Sequence, residues 1–160
     1  MHAFRRASAV LLLSLLSNLD QQTARAQDSD PQDVITYREL IMKQLDAEAA
    51  ALGLMVSGQI PSDNLTLQAK AAAASAKSAL KAFEPKVPGG EAKPEVWANW
   101  ADFAKRMQGL AQGAEEMAKA SEGNNLQAVS GLIVTALPCK ECHDTYRNKK
   151  KNSGAKSSAE

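Results

Sequence analysis

The sequence predicts an all-α protein, an antiparallel four-helix bundle. Only 4% of its 160 residues are aromatic, β-branched residues are few and alanine is abundant, a composition that favours helix over strand. Prolines and glycines cluster at residues 57–62, 84–93 and 121–124, where they separate four stretches of helical length. Apolar residues recur at three- and four-residue spacing in each stretch, so we expect four amphipathic helices.

The first two helices are predicted from their end signals. The first begins after Asp30 as N-cap, with Pro31 at the first helical position, and runs to Val56. Its predicted inner face consists of Val34, Tyr37 or Arg38, Ile41, Leu45, Ala49 and Leu52. The second is predicted from Asp63 to Phe83, and its alanines at 71–74 let a neighbouring helix approach closely.

The third and fourth helices follow the longest connection, residues 84–93. The third is predicted to begin at Pro94 and to end before Ser121. Its inner side is expected to carry Val96, Trp97, Trp100, Phe103, Ala104, Met107, Leu110, Ala114 and Met117. The fourth begins near Leu126 and continues towards Cys139. Pro138 lacks an amide donor and crowds the preceding turn, which predicts a kink or a restart there.

The first 26 residues have the three parts of a secretory signal peptide. Arg5 and Arg6 form a basic region, residues 9–16 form a short apolar core, and residues 24–26 read Ala-Arg-Ala, an A-x-A cleavage site. An uncleaved anchor is the alternative, although the apolar run is much shorter than the roughly 20 residues of a membrane span. We therefore expect a periplasmic protein that is not stably inserted in a membrane.

The net charge and the length of the mature chain limit what kind of protein it can be. Cleavage removes three arginines and one aspartate, which leaves 16 basic and 17 acidic residues. A chain with this balance lacks the excess of basic residues that is typical of proteins that bind nucleic acid. The length suits one helical domain at 27–148, followed by a polar basic tail at 149–160 that we expect to be disordered. The tail is either a solvated end or a segment that steers an acidic redox partner.

A C-x-x-C-H pentad contains Cys139, Cys142 and His143, and it is the signature of covalent c-type haem attachment. On a helix the two cysteines lie three residues apart on one face, where each thiol can add to a porphyrin vinyl group. His143 lies four residues after Cys139 on the same face, so its imidazole can bind the iron. We therefore expect one covalent haem c per chain near the C-terminus.

Two other chemistries use a C-x-x-C pair. A redox disulfide of the thioredoxin kind needs a βαβ context, and a zinc site needs further Cys or His ligands. The chain has only two cysteines and two histidines, and His2 belongs to the predicted signal peptide. Haem attachment is therefore favoured, although an oxidising compartment also permits a disulfide.

Three segments resemble the class II cytochromes c, the cytochrome c prime group and its low-spin relatives of cytochrome c-556 type. They are residues 33–38 (DVITYR), 93–103 (KPEVWANWADF) and 139–147 (CKECHDTYR). A C-terminal pentad at the end of a four-helix bundle is the arrangement of that family. The resemblance covers essentially the whole mature chain, and it also implies homodimers, with the first two helices as the usual surfaces.

The resemblance further implies which residue faces the second axial position of the iron. In the family it comes from the first helix, about five residues after the aromatic of a Tyr-Arg pair, and here it is Met42. A thioether there closes the sixth position and raises the reduction potential. A residue that only packs leaves the iron open to small gases. Core packing is therefore the alternative for Met42, and the rival ligands are Met55, Met107 and Met117.

Two arginines are candidate haem-binding residues. Arg38 falls on the predicted inner face, where an unpaired guanidinium is costly, so a haem propionate is its expected partner. Arg147 lies four residues after His143, and the matching arginine of the family is close to the proximal side. The alternative for both side chains is extension to solvent.

These predictions lead to two functions. The first is a periplasmic carrier of single electrons, with His143 and Met42 as iron ligands and periplasmic redox proteins as partners. The second is a five-coordinate protein of cytochrome c prime type that binds nitric oxide or carbon monoxide. A haem enzyme such as a peroxidase is disfavoured, because no histidine or evident acid-base group is predicted near the distal side.

Overall fold

The fold is a bundle of α-helices, as the sequence predicts. The computed structural model describes residues 29–149. Its helices are α1 (Pro31–Val56), α2 (Leu65–Phe83), α3 (Glu95–Ala98), α4 (Trp100–Ala120), α5 (Leu126–Ala136) and α6 (Cys139–Tyr146), with a 3₁₀ turn at Glu122–Asn124. Residues 29–149 contain no β-strand, only isolated bridges that join Ala92 to Gly89 and to Arg147. The four-helix bundle is confirmed: its long helices are α1, α2, α4 and α5 followed by α6.

Some of the sequence predictions fall outside this region. The signal peptide at residues 1–26 and the basic tail beyond Lys149 lie outside the described residues. The chain divides into two compact units between Asp33 and Val34. The core and the cavity described below lie within residues 34–149. Within the described part of the chain, no helix is both long enough and apolar enough to span a membrane.

All four long helices contribute to one core, called here the main core. Its members are Leu45, Leu52, Met55, Leu65, Ala69, Ala72, Ala73, Ala76, Ala114, Met117, Ala118, Val129, Ala136 and Leu137. The buried alanines of α2 have little side chain to hold the helices apart, so α2 packs extensively against α4. On the other side of α4, a Cβ at Gly113 would lie 2.9 Å from the backbone of Ala136. Glycine there allows α4 and α5 to approach closely.

A second group of buried residues, the aromatic cluster, joins the end of α2 to α3, α4 and α6. It consists of Ala79, Ala82, Phe83, Val96, Phe103, Met107 and Tyr146. The Phe103 ring lies 4.9 Å from that of Phe83 and 5.2 Å from that of Tyr146, centroid to centroid. Aromatic pairs at such distances stabilise a core beyond the area they bury.

Helix ends agree with the sequence at some positions and differ at others. Asp30 caps α1, since its carboxylate accepts a hydrogen bond of 2.7 Å from the Gln32 amide. The second helix begins at Leu65 rather than at Asp63, because residues 63 and 64 form a turn whose Asp63 carbonyl accepts from Asn124. The third predicted helix is interrupted at Asn99, where φ is −115° and ψ is 43°. Asparagine readily leaves helical geometry because its side chain forms hydrogen bonds with nearby backbone groups that compete with the helical hydrogen bonds.

Pro138 separates the fourth predicted helix into two parts. Helix α5 ends at Ala136 and α6 restarts at Cys139, with Pro138 at φ −76° and ψ 54°. The restart predicted from the missing amide donor of proline is therefore confirmed. As a result the pentad lies on a short helix of its own.

Candidate functional site

A cavity of about 410 Å³ lies between α1, α4 and α6. Its volume falls in the range of pockets that hold small molecules and cofactors. All six of the site residues predicted from the sequence line it: Arg38, Met42, Cys139, Cys142, His143 and Arg147. Residues that are about a hundred positions apart in the chain thus meet at one site.

The two cysteines are half-buried free thiols. Cys139 packs against the main core and Cys142 against the aromatic cluster. Burial raises the pKa of both thiols, so they are protonated at neutral pH, and it is an S–H bond that adds across a vinyl group. They form no disulfide, and no group of three or more His, Cys, Asp or Glu within residues 29–149 could hold a metal ion.

The imidazole of His143 is in the state that a metal ligand requires. Burial, and next the positive charge of Arg147, lower the pKa of His143 below its usual value. The side chain is therefore neutral at pH 7, and a neutral imidazole nitrogen is what binds a metal.

Two of the four methionines considered as iron ligands line the cavity. Met42 is partly buried and packs against both the main core and the aromatic cluster. Met107 is 3% exposed and also lines the cavity, whereas Met55 and Met117 belong to the main core and do not line it. Among residues 29–149, Met42 and Met107 are thus the two methionines whose thioethers are at the cavity.

Arg38 is buried, with only 2% of the residue exposed. Its guanidinium donates hydrogen bonds to the carbonyl oxygens of Val87 at 3.0 Å and Gly89 at 2.9 Å. It also lies 5.2 Å from the ring centroid of Phe83 and 5.0 Å from that of Trp97. Extension to solvent is therefore wrong for Arg38, and these loop carbonyls and rings compensate the buried charge. A contact with a haem propionate stays a prediction.

Arg147 has a different environment. Its side chain is 42% exposed, and its Nε lies 3.9 Å from a carboxylate oxygen of Glu91. This distance makes a weak ion pair in a solvated setting. Arg147 thus lines the cavity while part of its side chain reaches solvent.

Sequence reasoning missed a cluster beside the pentad. The hydroxyl of Tyr146 donates to Oδ2 of Asp102 at 2.6 Å, and Nε of Arg106 donates to the same oxygen at 2.7 Å. The Asp102 and Arg106 side chains are spaced i,i+4 on α4, a spacing that could have suggested their pairing. Tyr146 is 44 residues away from Asp102, and no local pattern indicates that contact.

Hydrogen bonds join the C-terminal end of α6 to the loop that precedes α3. The Lys93 ammonium donates to the carbonyl oxygens of Asp144 and Thr145 at 3.1 and 3.0 Å. The Lys93 amide donates to the Tyr146 carbonyl at 2.9 Å, and the Asn148 amide to that of Glu91 at 2.8 Å. A cation at the C-terminus of a helix satisfies its last carbonyls and interacts favourably with the helix dipole.

Replacing Arg38 by methionine is expected to lower the free energy of unfolding by about 3 kcal/mol. The change leaves the carbonyl oxygens of Val87 and Gly89 without their donor, and a buried acceptor without a partner costs roughly 1–3 kcal/mol. Urea titration measures the effect. Lys43→Met on the same helix is the control, since Lys43 is exposed and surface changes usually stay within about 0.5 kcal/mol. Equal effects of the two substitutions would contradict the structural role of Arg38.

Asp102→Asn is expected to lower the free energy of unfolding at neutral pH and to leave it unchanged in strong acid. The hydrogen bond from Tyr146, followed by that from Arg106, holds the pKa of Asp102 below its usual value. Its stabilising effect is thus present above the unfolded pKa, about 3.9, and is lost as pH falls through the lower folded pKa. Urea titrations from pH 7 to pH 2 should show that the difference in stability between the two proteins begins to shrink once the pH falls below about 3.9. Asp63→Asn, at an exposed turn, is the control, and a constant difference for Asp102→Asn would contradict the assignment.

The residues at the cavity suit a haem. Two protonated thiols and a neutral imidazole lie on one short helix, a thioether lies on another, and apolar walls from Phe83, Val96 and Phe103 enclose them. Covalent attachment, iron ligation and burial of a porphyrin need these groups. Fold and cavity together define a helical-bundle protein of the cytochrome c class.

Comparison with known proteins gives the family. Residues 33–147 match the family model described as cytochrome c′. A cytochrome c′ of Alcaligenes xylosoxydans xylosoxydans is 29% identical over 127 residues, 78% of this chain and 100% of the relative. A cytochrome c-556 of Agrobacterium tumefaciens (strain II Chrys) is 30% identical over 121 residues, 72% of this chain and 98% of the relative. The chain belongs to the cytochrome c′ family, a family of class II cytochromes c whose cofactor is a covalently attached haem c.

Solved structures agree on the fold. A ferrous variant of cytochrome c prime from Alcaligenes xylosoxidans with bound NO has a TM-score of 0.71 at 24% identity, over 77% of this chain and 99% of that one. A variant of the same cytochrome with bound carbon monoxide has a TM-score of 0.70 at 24% identity, over 76% and 98%.

Proposed function

We propose that this protein is a periplasmic carrier of single electrons whose haem iron is ligated by His143 and Met42. The observation that carries the proposal is that these two side chains, from α6 and α1, line the same cavity. Cys139 and Cys142 attach the haem covalently, and the bound haem supplies an iron that gains and loses one electron. Histidine and methionine as axial ligands raise the reduction potential of such an iron.

The surroundings of the cavity support a carrier over an enzyme. Among residues 34–149, Arg38 is the only charged residue that is buried. A haem enzyme that transfers protons needs a positioned acid or base close to the iron. The carboxylates that line the cavity, Glu39, Asp46, Glu91 and Glu141, are partly or fully exposed. The buried wall is therefore suited to holding a haem rigidly rather than to proton chemistry.

Binding of a small gas is the second candidate function. It is favoured by the likeness to cytochrome c prime structures that hold nitric oxide or carbon monoxide. In that case the Met42 side chain packs near the iron without binding it, and the iron is five-coordinate. The partial burial of Met42 and its contacts with both core groups are compatible with this role.

Carbon monoxide distinguishes the two functions. The reduced wild-type protein is titrated with carbon monoxide while its optical spectrum is recorded. A carrier with a bound thioether should be low spin before the gas is added, and its spectrum should not change at gas concentrations that saturate a five-coordinate haem. A high-spin spectrum that shifts on the first additions would exclude Met42 as ligand and favour gas binding.

The proposal includes export and assembly. The predicted signal peptide directs the chain to the periplasm, where its redox partners are expected. Members of the family are often dimers, and the exposed leucines Leu40 and Leu54 of α1 and Leu67 of α2 are apolar residues on the helices the family uses for pairing. Sedimentation of the wild type and of Leu40→Glu tests this part, and a wild-type monomer would contradict it.

A further inference from the structure

Helix α6 needs contacts beyond itself to keep its direction. It has only eight residues, and Pro138 disconnects it from α5. A helix of this length is not stable alone in water. The groups that hold α6 therefore also determine where its His143 side chain points.

The side of α6 is held by the three-residue cluster on α4 and α6. Tyr146 is 4% exposed and meets the Phe103 ring edge-on. Its hydroxyl and Nε of Arg106 both donate to Oδ2 of Asp102, and the Arg106 guanidinium lies 5.9 Å from the centroid of the Tyr146 ring. Each of the three residues thus contacts the other two, and Arg106 and Tyr146 line the cavity.

We infer that Tyr146, Asp102 and Arg106 form an anchor that fixes α6 against α4 and thereby sets the orientation of the His143 imidazole. They are positioning residues for the haem and not ligands. The inference rests on the proposed attachment of haem to α6. Residues that orient a metal ligand tune the metal without touching it, so the anchor should influence the iron as well as the stability of α6.

Position along the helix links the anchor to the ligand. Tyr146 follows His143 by three residues, and residues three apart on a helix lie on the same side. A rotation of α6 that releases the Tyr146 hydroxyl from Asp102 must also turn the imidazole. The contacts of Lys93 are to backbone carbonyl oxygens at the C-terminal end of α6, whereas the anchor holds a side chain on the same side of the helix as His143.

Tyr146→Phe tests the anchor, because it keeps the ring that packs on Phe103 and removes only the hydroxyl. Tyr37→Phe is the matched control: Tyr37 is the only other tyrosine of the chain, is 51% exposed and does not line the cavity. Asp102→Ala removes the acceptor and provides a second route should Tyr146→Phe fail to fold. Each haem-loaded protein is measured by amide hydrogen exchange, by electron paramagnetic resonance of the ferric iron and by its reduction potential.

The amides of residues 139–147 are expected to exchange about tenfold faster in Tyr146→Phe. This is about the factor by which losing a hydrogen bond to a charged group should favour opening of the helix. The ferric g-values and the reduction potential should shift as well, since both depend on imidazole orientation. Asp102→Ala should reproduce these changes. Adding Tyr146→Phe to Asp102→Ala should change little more, because the hydrogen bond between the two residues is already absent. Tyr37→Phe should match the wild type in all three measurements.

Two results would overturn the inference. Unchanged exchange in Tyr146→Phe and Asp102→Ala would show that α6 does not depend on the cluster. Faster exchange with unchanged g-values and potential would reduce the cluster to a stabilising contact without a positioning role. Wild-type protein that carries no covalent haem would instead contradict the proposed function, so the two failures are distinguishable.

Discussion

Met42→Leu is expected to convert the haem iron from six-coordinate low spin to five-coordinate high spin. Leucine fills a similar volume at the cavity but has no sulfur to donate, so the sixth position opens. The reduction potential should fall. If the thioether is released in about 1% of wild-type molecules, its removal should strengthen apparent carbon monoxide binding about 100-fold. Optical spectra and carbon monoxide titrations measure these changes.

Two other methionines give matched controls for this prediction. Met107→Leu changes the other thioether at the cavity, and Met55→Leu changes one buried in the main core away from it. Both variants should remain low spin, with small costs in stability because the volume is conserved. A low-spin Met42→Leu together with a high-spin Met107→Leu would move the ligand to α4 and contradict the assignment.

Replacing both Cys139 and Cys142 by alanine is expected to abolish covalent haem attachment completely. Each thiol forms one thioether, so the single variants should retain one bond and the double variant none. Mass spectrometry of the denatured protein measures attached haem directly. His143→Ala is the informative comparison, because it leaves both thiols in place while removing the proximal ligand.

The double variant and His143→Ala should fail in different ways. Haem that separates from the double variant in denaturant, yet stays bound to His143→Ala, would match the assigned roles. Haem that remains covalently bound to the double variant would contradict attachment through the pentad, since the chain has no other cysteine.

Much of the site was predictable because its chemistry is local in sequence. The pentad defines two thiols and an imidazole on one face, and Pro138 marks the break before them. Helical periodicity places either Tyr37 or Arg38 on the inner face of α1, and the fold buries Arg38. For Met42 the periodicity indicates only a position within the buried sector of the first helix, and the resemblance to a family was needed to suggest iron ligation.

The remaining features depend on contacts between distant segments. Arg38 is bonded to the carbonyls of Val87 and Gly89, about fifty residues away, and their position is set by a loop that has no periodic pattern. The contact between Tyr146 and Asp102 likewise joins two helices whose relative rotation is decided by packing of the whole core. The sequence therefore predicted that Arg38 needs a partner, but not which partner the fold provides.

The absorption spectrum of the ferric wild-type protein tests the central claim most directly. A methionine thioether bound to ferric haem gives a sulfur-to-iron charge-transfer band, which a nitrogen or oxygen ligand does not produce. If Met42 and His143 ligate the iron, the wild type should show this band together with a low-spin spectrum, and Met42→Leu should lose it. A ferric wild type that is high spin and lacks the band would contradict the His143/Met42 carrier.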